Sequence, residues 1–159
     1  MARKEIRFFV VDASVVVKWF VEEEQSNKAR LIRDQFVDGR LRLIAPDLLK
    51  YEVVSALRYH PVARIEPSYL MMARDAIESY QFLVKPSREA WNRAIRFCYE
   101  FKISPYDAIY LGLSQTLKHP LLTADMKLVS AITPDTRTVV AQLSKVDESP
   151  TEKSNNRET

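Results

Sequence analysis

The chain has 159 residues, which fits a single domain around one core. Hydrophobic residues make up 47% and charged residues 28%, the composition of a soluble globular protein, and the net charge of +3 is compatible with an anionic partner such as nucleic acid. A lone cysteine, Cys98, excludes an internal disulfide framework or a zinc cluster and points to a reducing cytoplasm. The only glycines, Gly39 and Gly112, exclude a GxGxxG turn and a Walker-type phosphate loop.

Residues 6–11 (IRFFVV) form a continuous apolar run, as expected of a strand buried on both faces. Asp12 and Lys18 interrupt the apolar stretch, so it reads as folded domain and neither as a signal peptide nor as a membrane span. Ser14 is placed to cap a short helix running to about Glu22. A second helix is expected over 26–37, with Ala29, Ile32 and Phe36 inward and Gly39 as its stop. Residues 42–45 read as a strand closed by Pro46, and Asp47 as the cap of a helix to about Tyr59. Pro67 opens a helix with a stripe of Leu70, Ala73, Ala76, Ile77 and Tyr80, and 81–84 reads as a short strand. Residues 87–101 are amphipathic through Trp91, Ala94, Ile95 and Cys98, and Ser104-Pro105 starts another helix. A strand at 120–123, a helix at 125–131 and a strand at 138–141 follow. The last residues, from Lys145, lack aromatics and read as a disordered tail, leaving 1–144 as the folded domain. Strands alternating with helices predict an α/β fold: a three-layer α/β/α sandwich on a short, mostly parallel sheet.

In such sheets ligands bind beyond the carboxyl ends of the strands. Asp12 and Asp125 follow strands, Asp107 lies in the first turn of the helix after Pro105, and Glu52 lies in the helix after the second strand. Each aspartate has an alternative role as a helix cap. Glu52 comes too late in its helix to cap, borders the apolar face, and has no basic residue three or four positions away. A half-buried carboxylate in that position calls for a cation or a proton. Carboxylates brought together repel, and a hard divalent cation such as magnesium or manganese resolves the conflict. His60 and His119 each precede a proline and read as surface loop residues.

The segments VVDASVVVKWF, LLKYEVVSAL, SPYDAIYLGLSQ and LLTADMKL, in that order and spacing, resemble the PIN domain nucleases, most closely the compact VapC-type ribonuclease toxins. The similarity runs from about Ile6 to Gln142. It implies a metal-dependent endoribonuclease, the toxin of a toxin–antitoxin pair, in which Asp12, Glu52, Asp107 and Asp125 hold one or two magnesium or manganese ions that activate a water for phosphodiester hydrolysis. It implies further that Ser14 supports the first aspartate and the metal site, that Thr123, two before Asp125 in the TAD motif, is a supporting contact behind the ligands, and that the protein forms a homodimer and meets an antitoxin. Met126 follows Asp125 directly and no acidic residue lies just downstream, so a fifth carboxylate ligand is not offered.

RNA approaching such a pocket needs a basic rim, for which Lys18, Arg58, Arg64, Arg93, Arg96 and Lys127 are candidates; their alternative is ordinary solvated surface. Tyr59 or Tyr106 is a candidate to stack a base, with core packing expected of Tyr106. Other readings of the fold are a free-standing PIN nuclease of RNA processing and a non-catalytic partner-binding protein. A receiver-like module would need an aspartate after the middle strand, where Val84-Lys85-Pro86 stands, and a haloacid-dehalogenase-type phosphatase would need D-x-D at Asp12-Ala13-Ser14.

Overall fold

The computed structural model describes residues 5–132 and 140–146. Its first strand, β1 (Arg7–Val11), carries the apolar run, and Val10 and Val11 are fully buried. Burial of both faces calls for helices above and below the sheet, and within the sheet β1 is flanked by β2 (Leu41–Pro46) and β4 (Leu121–Thr123). With β3 (Leu83–Val84) and β5 (Val140–Gln142) outside them, the order is β3-β2-β1-β4-β5, and every pairing is parallel.

Parallel neighbours cannot be joined by hairpins, so helices make the crossovers. After β1 come α1 (Ala13–Val16), a single 3₁₀ turn (Val17–Trp19) and α2 (Ser26–Val37). Between β2 and β3 lie α3 (Leu48–Arg58) and α4 (Pro67–Ser79). The chain then runs through α5 (Arg88–Phe101) and α6 (Pro105–Leu117) to β4, and α7 (Met126–Ala131) follows. The result is the expected α/β sandwich, with its core between sheet and helices around Val10, Leu41, Leu49, Ile77, Ile109 and Leu121.

Helix ends follow local chemistry. After α2, the Gly39 N–H donates to Phe36 O (3.0 Å) and the Arg40 N–H to Gln35 O (2.8 Å), with Gly39 at φ 71°, a Schellman stop as its position suggested. Ser87 and Ser104 accept hydrogen bonds from the N–H groups of Ala90 and Asp107, capping α5 and α6. Gly112 serves a different purpose. A Cβ there would sit 2.4 Å from the carbonyl oxygen of Ala90 and 3.1 Å from Ala94 Cβ, so its missing side chain lets α6 lie against α5.

Several local expectations need correction. The first helix is capped by Asp12, whose side chain accepts from the Ser14 N–H, because the helix starts at Ala13; Ser14 lies inside it, and α-helix gives way to the 3₁₀ turn after Val16. Asp47 makes no side-chain cap bond, since its own backbone is already helical (φ −56°, ψ −23°). The buried face of α5 is Ala90, Ala94, Phe97 and Phe101, while Trp91 and Ile95 are exposed; the helix is rotated to bring small residues against Gly112. Tyr106 is exposed and not core, because it sits at the open start of α6. His60 is a loop residue with a buried side chain, held by Glu23 and by two backbone amides, and His119 stacks on Phe8 (ring centroids 4.0 Å apart). Of the strand expected over 138–141, residues 138 and 139 lie outside the described residues; β5 begins at Val140. Of the expected tail, Lys145 ends a 3₁₀ turn (Leu143–Lys145) seated by buried Leu143, and from 147 onward the chain lies outside the described residues.

Candidate active site

The strand order places β1 between neighbours reached by crossovers on opposite sides. This is a switch point, where helices diverge and leave a crevice at the carboxyl ends of the strands. Val11 pairs with Leu122, and the Asp12 N–H continues the ladder to Leu122 O (3.2 Å). Asp12 and Thr123 therefore stand side by side as the two strands end.

Asp12 is 6% exposed and fully enclosed by hydrogen-bond donors. Its Oδ1 accepts from the Ser14 N–H (3.0 Å) and from the Ser14 hydroxyl, and its Oδ2 from the Thr123 hydroxyl. The two hydroxyls are tied in turn: Ser14 Oγ accepts from the Ala124 N–H (2.9 Å) and Thr123 Oγ1 from the Asp125 N–H (3.0 Å). Burial pushes the Asp12 carboxyl up to about 7, the Ser14 and Thr123 bonds offset part of that, and repulsion from Asp125 adds to it. Ser14 thus touches the aspartate that the resemblance paired it with, and Thr123, expected only as a supporting contact, touches it as well.

The other carboxylates approach from three elements. Asp125 lies just past β4 and caps α7, its Oδ1 accepting from Lys127 N–H (3.0 Å) and Leu128 N–H (3.2 Å). Asp107, in the first turn of α6, is pushed up by burial and by repulsion from Asp125. Glu52, on α3, is pushed up by burial and by repulsion from Asp107, against a hydrogen bond from Tyr110. Asp12 feels Asp125, Asp125 acts on Asp107, and Asp107 acts on Glu52, so the four share one field at one end of the sheet.

Glu52 has a partner that its own helix could not supply. The Tyr110 hydroxyl donates to Glu52 Oε1 (2.6 Å) from α6, 58 residues away. Burial and the Glu52 charge push the Tyr110 hydroxyl up, so it keeps its proton and remains a donor. Sequence reading missed Tyr110, although a signal existed: it stands one helical turn after Asp107 and so shares its face. Removing the hydroxyl in Tyr110→Phe is expected to destabilise the metal-free protein by roughly 1.5–3 kcal/mol in urea melts at neutral pH, the range for a hydrogen bond to a charged group. Melts that superimpose on wild type would show that the bond carries no stability.

The donor set suits a hard divalent cation. It is all oxygen, and burial with mutual repulsion pushes the carboxyls of Asp12, Glu52 and Asp107 up, a cost that a cation relieves. As the side chains are placed, no three acidic, histidine or cysteine groups among the described residues stand close enough to enclose an ion, so the fit lies in donor chemistry and shared field.

The basic candidates divide. Lys18 is 12% exposed and paired with Glu23 (3.0 Å). Arg93 is engaged by Glu89 and Gln115 (both 2.9 Å). Arg58 lies over the Tyr59 ring (5.3 Å to the centroid) and Lys127 is exposed on α7 next to Asp125, while Arg64 and Arg96 are exposed. Tyr59 and Tyr106 both present rings to solvent, and Tyr106 lines a cavity of about 530 Å³ together with Glu52 and Asp107.

The PIN domain family model matches residues 9–131. The chain belongs to the PIN domain family. PIN domains are typically nucleases that use divalent metal ions, and the matched span contains all four carboxylates. Among solved structures, this PIN chain is similar to a protein from Pyrobaculum aerophilum at 18% identity (TM-score 0.63, 87% of this chain and 85% of that one). It is also similar to a chain of a toxin–antitoxin complex from Klebsiella pneumoniae at 17% identity (TM-score 0.58, 85% and 97%). At those identities the likeness establishes the fold. No curated protein matches the chain. No helix among the described residues is long and apolar enough to cross a membrane.

Proposed function

We propose that this PIN domain is a magnesium- or manganese-dependent endoribonuclease, acting in the cytoplasm as the toxin of a toxin–antitoxin pair. The observation that carries the reading is Asp12: a carboxylate buried at the sheet's switch point, enclosed by donors, in a field shared with three more carboxylates. A helix cap needs neither that burial nor that company. The toxin role draws on the Klebsiella pneumoniae chain, whose complex is named as toxin–antitoxin. A homodimer and a cognate antitoxin belong to the same proposal.

Asp12, Glu52, Asp107 and Asp125 would hold one or two divalent ions, drawing inward to do so. When bound, such an ion supplies a Lewis acid for phosphoryl oxygen and lowers the pKa of water. The chain's own residues do the positioning. Ser14 and Thr123 fix both Asp12 oxygens, so its carboxylate cannot swing when the charge around it changes. Tyr110 fixes one oxygen of Glu52 and leaves the other open. Asp125 shares its charge with the amides that start α7. The test is cleavage of single-stranded RNA with magnesium or manganese and its suppression by chelator; RNA left intact with either metal would refute the proposal.

Glu52→Gln is expected to keep the fold, and to hold or gain stability without metal, because glutamine mimics the protonated state that burial favours. Its stabilisation by magnesium should shrink and its cleavage rate fall by about 10²-fold or more. Thermal melts with and without magnesium check this. An undiminished magnesium shift in the mutant would remove Glu52 from the ligand set.

A further inference from the structure

Outside the acidic centre, one cluster of partly buried charge stands apart, with Glu23 30% exposed. Lys18, in the 3₁₀ turn after α1, is 12% exposed and donates from Nζ to Glu23 Oε1 (3.0 Å). The other Glu23 oxygen, Oε2, lies 3.1 Å from Nε2 of His60, whose side chain is 9% exposed. The backbone N–H groups of Ala63 (2.9 Å) and Val62 (3.3 Å) both donate to His60 Nδ1. That nitrogen therefore carries the lone pair, and Nε2 carries the hydrogen donated to Glu23. Glu23 is pinned at its backbone too, its N–H donating to Ser26 Oγ (2.9 Å), which donates to Val21 O (3.0 Å). The ammonium is thus held by a carboxylate that is itself held on two sides.

Such a device is costly for mere loop fixation. Burying a lysine requires a partner and a fixed geometry, and an apolar contact would join the two loops at less desolvation. Its position gives the reason. Lys18, Glu23 and His60 line a cavity of about 400 Å³ whose other wall includes Ser14, Glu52 and Ala124, part of the acidic centre. Glu23 takes one of the three ammonium donors. An RNA strand approaching four carboxylates meets repulsion, and a fixed cation lining the same cavity supplies the matching attraction. A lysine ammonium is a point charge suited to phosphate.

We propose that Lys18, oriented by Glu23 and His60, forms a phosphate-binding subsite beside the acidic centre that takes a backbone phosphate of the RNA strand being cut. The subsite rests on the endoribonuclease reading. Lys18 here is a binding residue, and Glu23 and His60 are positioning residues.

The experiment measures cleavage of a single-stranded RNA oligonucleotide with magnesium across about 50 to 200 mM salt, the range over which phosphate contacts weaken most visibly. Lys18→Gln is expected to raise KM about tenfold, leave kcat near wild type, and lower the slope of log KM against log salt by about 0.7, the contribution of one phosphate on single-stranded nucleic acid. Lys18→Arg should keep most of the slope. Arg33→Gln, which removes a charge from α2, should leave KM and slope unchanged. Glu23→Gln is the more discriminating variant and serves if Lys18→Gln does not fold. It removes a negative charge, so general electrostatics would lower KM, whereas release of Lys18 from its orientation raises it. A salt slope unchanged in Lys18→Gln, or a KM unchanged or lowered in Glu23→Gln, would overturn the subsite while leaving the nuclease reading intact. Failure of the wild-type protein to cleave RNA overturns both.

Discussion

In Asp12→Asn the proposed metal-dependent RNA cleavage is expected to fall about 10³-fold, and the metal-free protein to be more stable at pH 8 than wild type; these are the largest functional effects expected of a single substitution. If Asp12 is a ligand as proposed, losing its charge removes several kcal/mol of charge stabilisation, or about 10³-fold in rate. The stability effect follows from the raised carboxyl, about 7 in the fold against 3.8 as its ordinary value. Between those two values the folded chain keeps a proton that the unfolded chain has released. The contribution of Asp12 to stability is therefore full below about pH 4, falls as pH rises, and is gone above about 7. Asparagine keeps the shape and never ionises, so it escapes this loss. Melts in chelator should show wild type and mutant alike near pH 4 and diverging toward pH 8, by an amount on the order of a few kcal/mol. Saturating magnesium should restore the wild type and leave the mutant unmoved. Parallel pH profiles in chelator would show that Asp12 is ionised at no cost, and would remove the physical case for a cation there.

Gly112→Ala carries the largest expected loss of stability. The added methyl would meet the Ala90 carbonyl oxygen at 2.4 Å, a contact with backbone that no rotamer relieves. Neither helix can yield cheaply: every residue of α6 from Ala108 to Ser114 is buried, and α5 faces it with Ala90 and Ala94. A cost of about 3 kcal/mol or more is expected, at the upper end of overpacking effects. For a chain of this size that corresponds to a fall in Tm of roughly 6–12 °C. Gly39→Ala provides the comparison, since space around Gly39 is open and only its φ of 71° resists a side chain, at about 1–2 kcal/mol. Melts of the two variants side by side check the ranking; Gly112→Ala no worse than Gly39→Ala would contradict the packing described. Because α6 also carries Asp107 and Tyr110, displacement of the helix should depress the proposed cleavage as well.

The parts of the fold that rest on local pattern were legible in the sequence. The apolar run ending at Asp12, the twelve residues of α2 with its glycine stop, and the Ser-Pro start of α6 need no knowledge of distant contacts. Asp12, Asp107 and Asp125 stand out because strand ends and helix starts are themselves local signals, and Glu52 because its helix offers it no neighbouring base. What escaped depends on pairs far apart in the chain. Tyr110 meets Glu52 across 58 residues, and His60 meets Glu23 across 37, so a histidine that looks like loop becomes a buried fixture. The face of α5 was misjudged for a related reason. Large apolar residues suggest a buried stripe, yet here Trp91 and Ile95 yield the interior to Ala90 and Ala94 because the neighbouring helix brings a glycine.

The clasp on Asp12 has a further consequence during synthesis. The Thr123 hydroxyl that fixes the second oxygen of Asp12 is made 111 residues after it, and Asp125 later still. Pairing of β1 with β4, on which both depend, is among the longest-range contacts of the chain and therefore among its slowest to form. An unfinished chain still attached to a ribosome, itself built on RNA, has Asp12 and Glu52 but no assembled centre. The topology delays assembly of the acidic centre until nearly the whole polypeptide has been made.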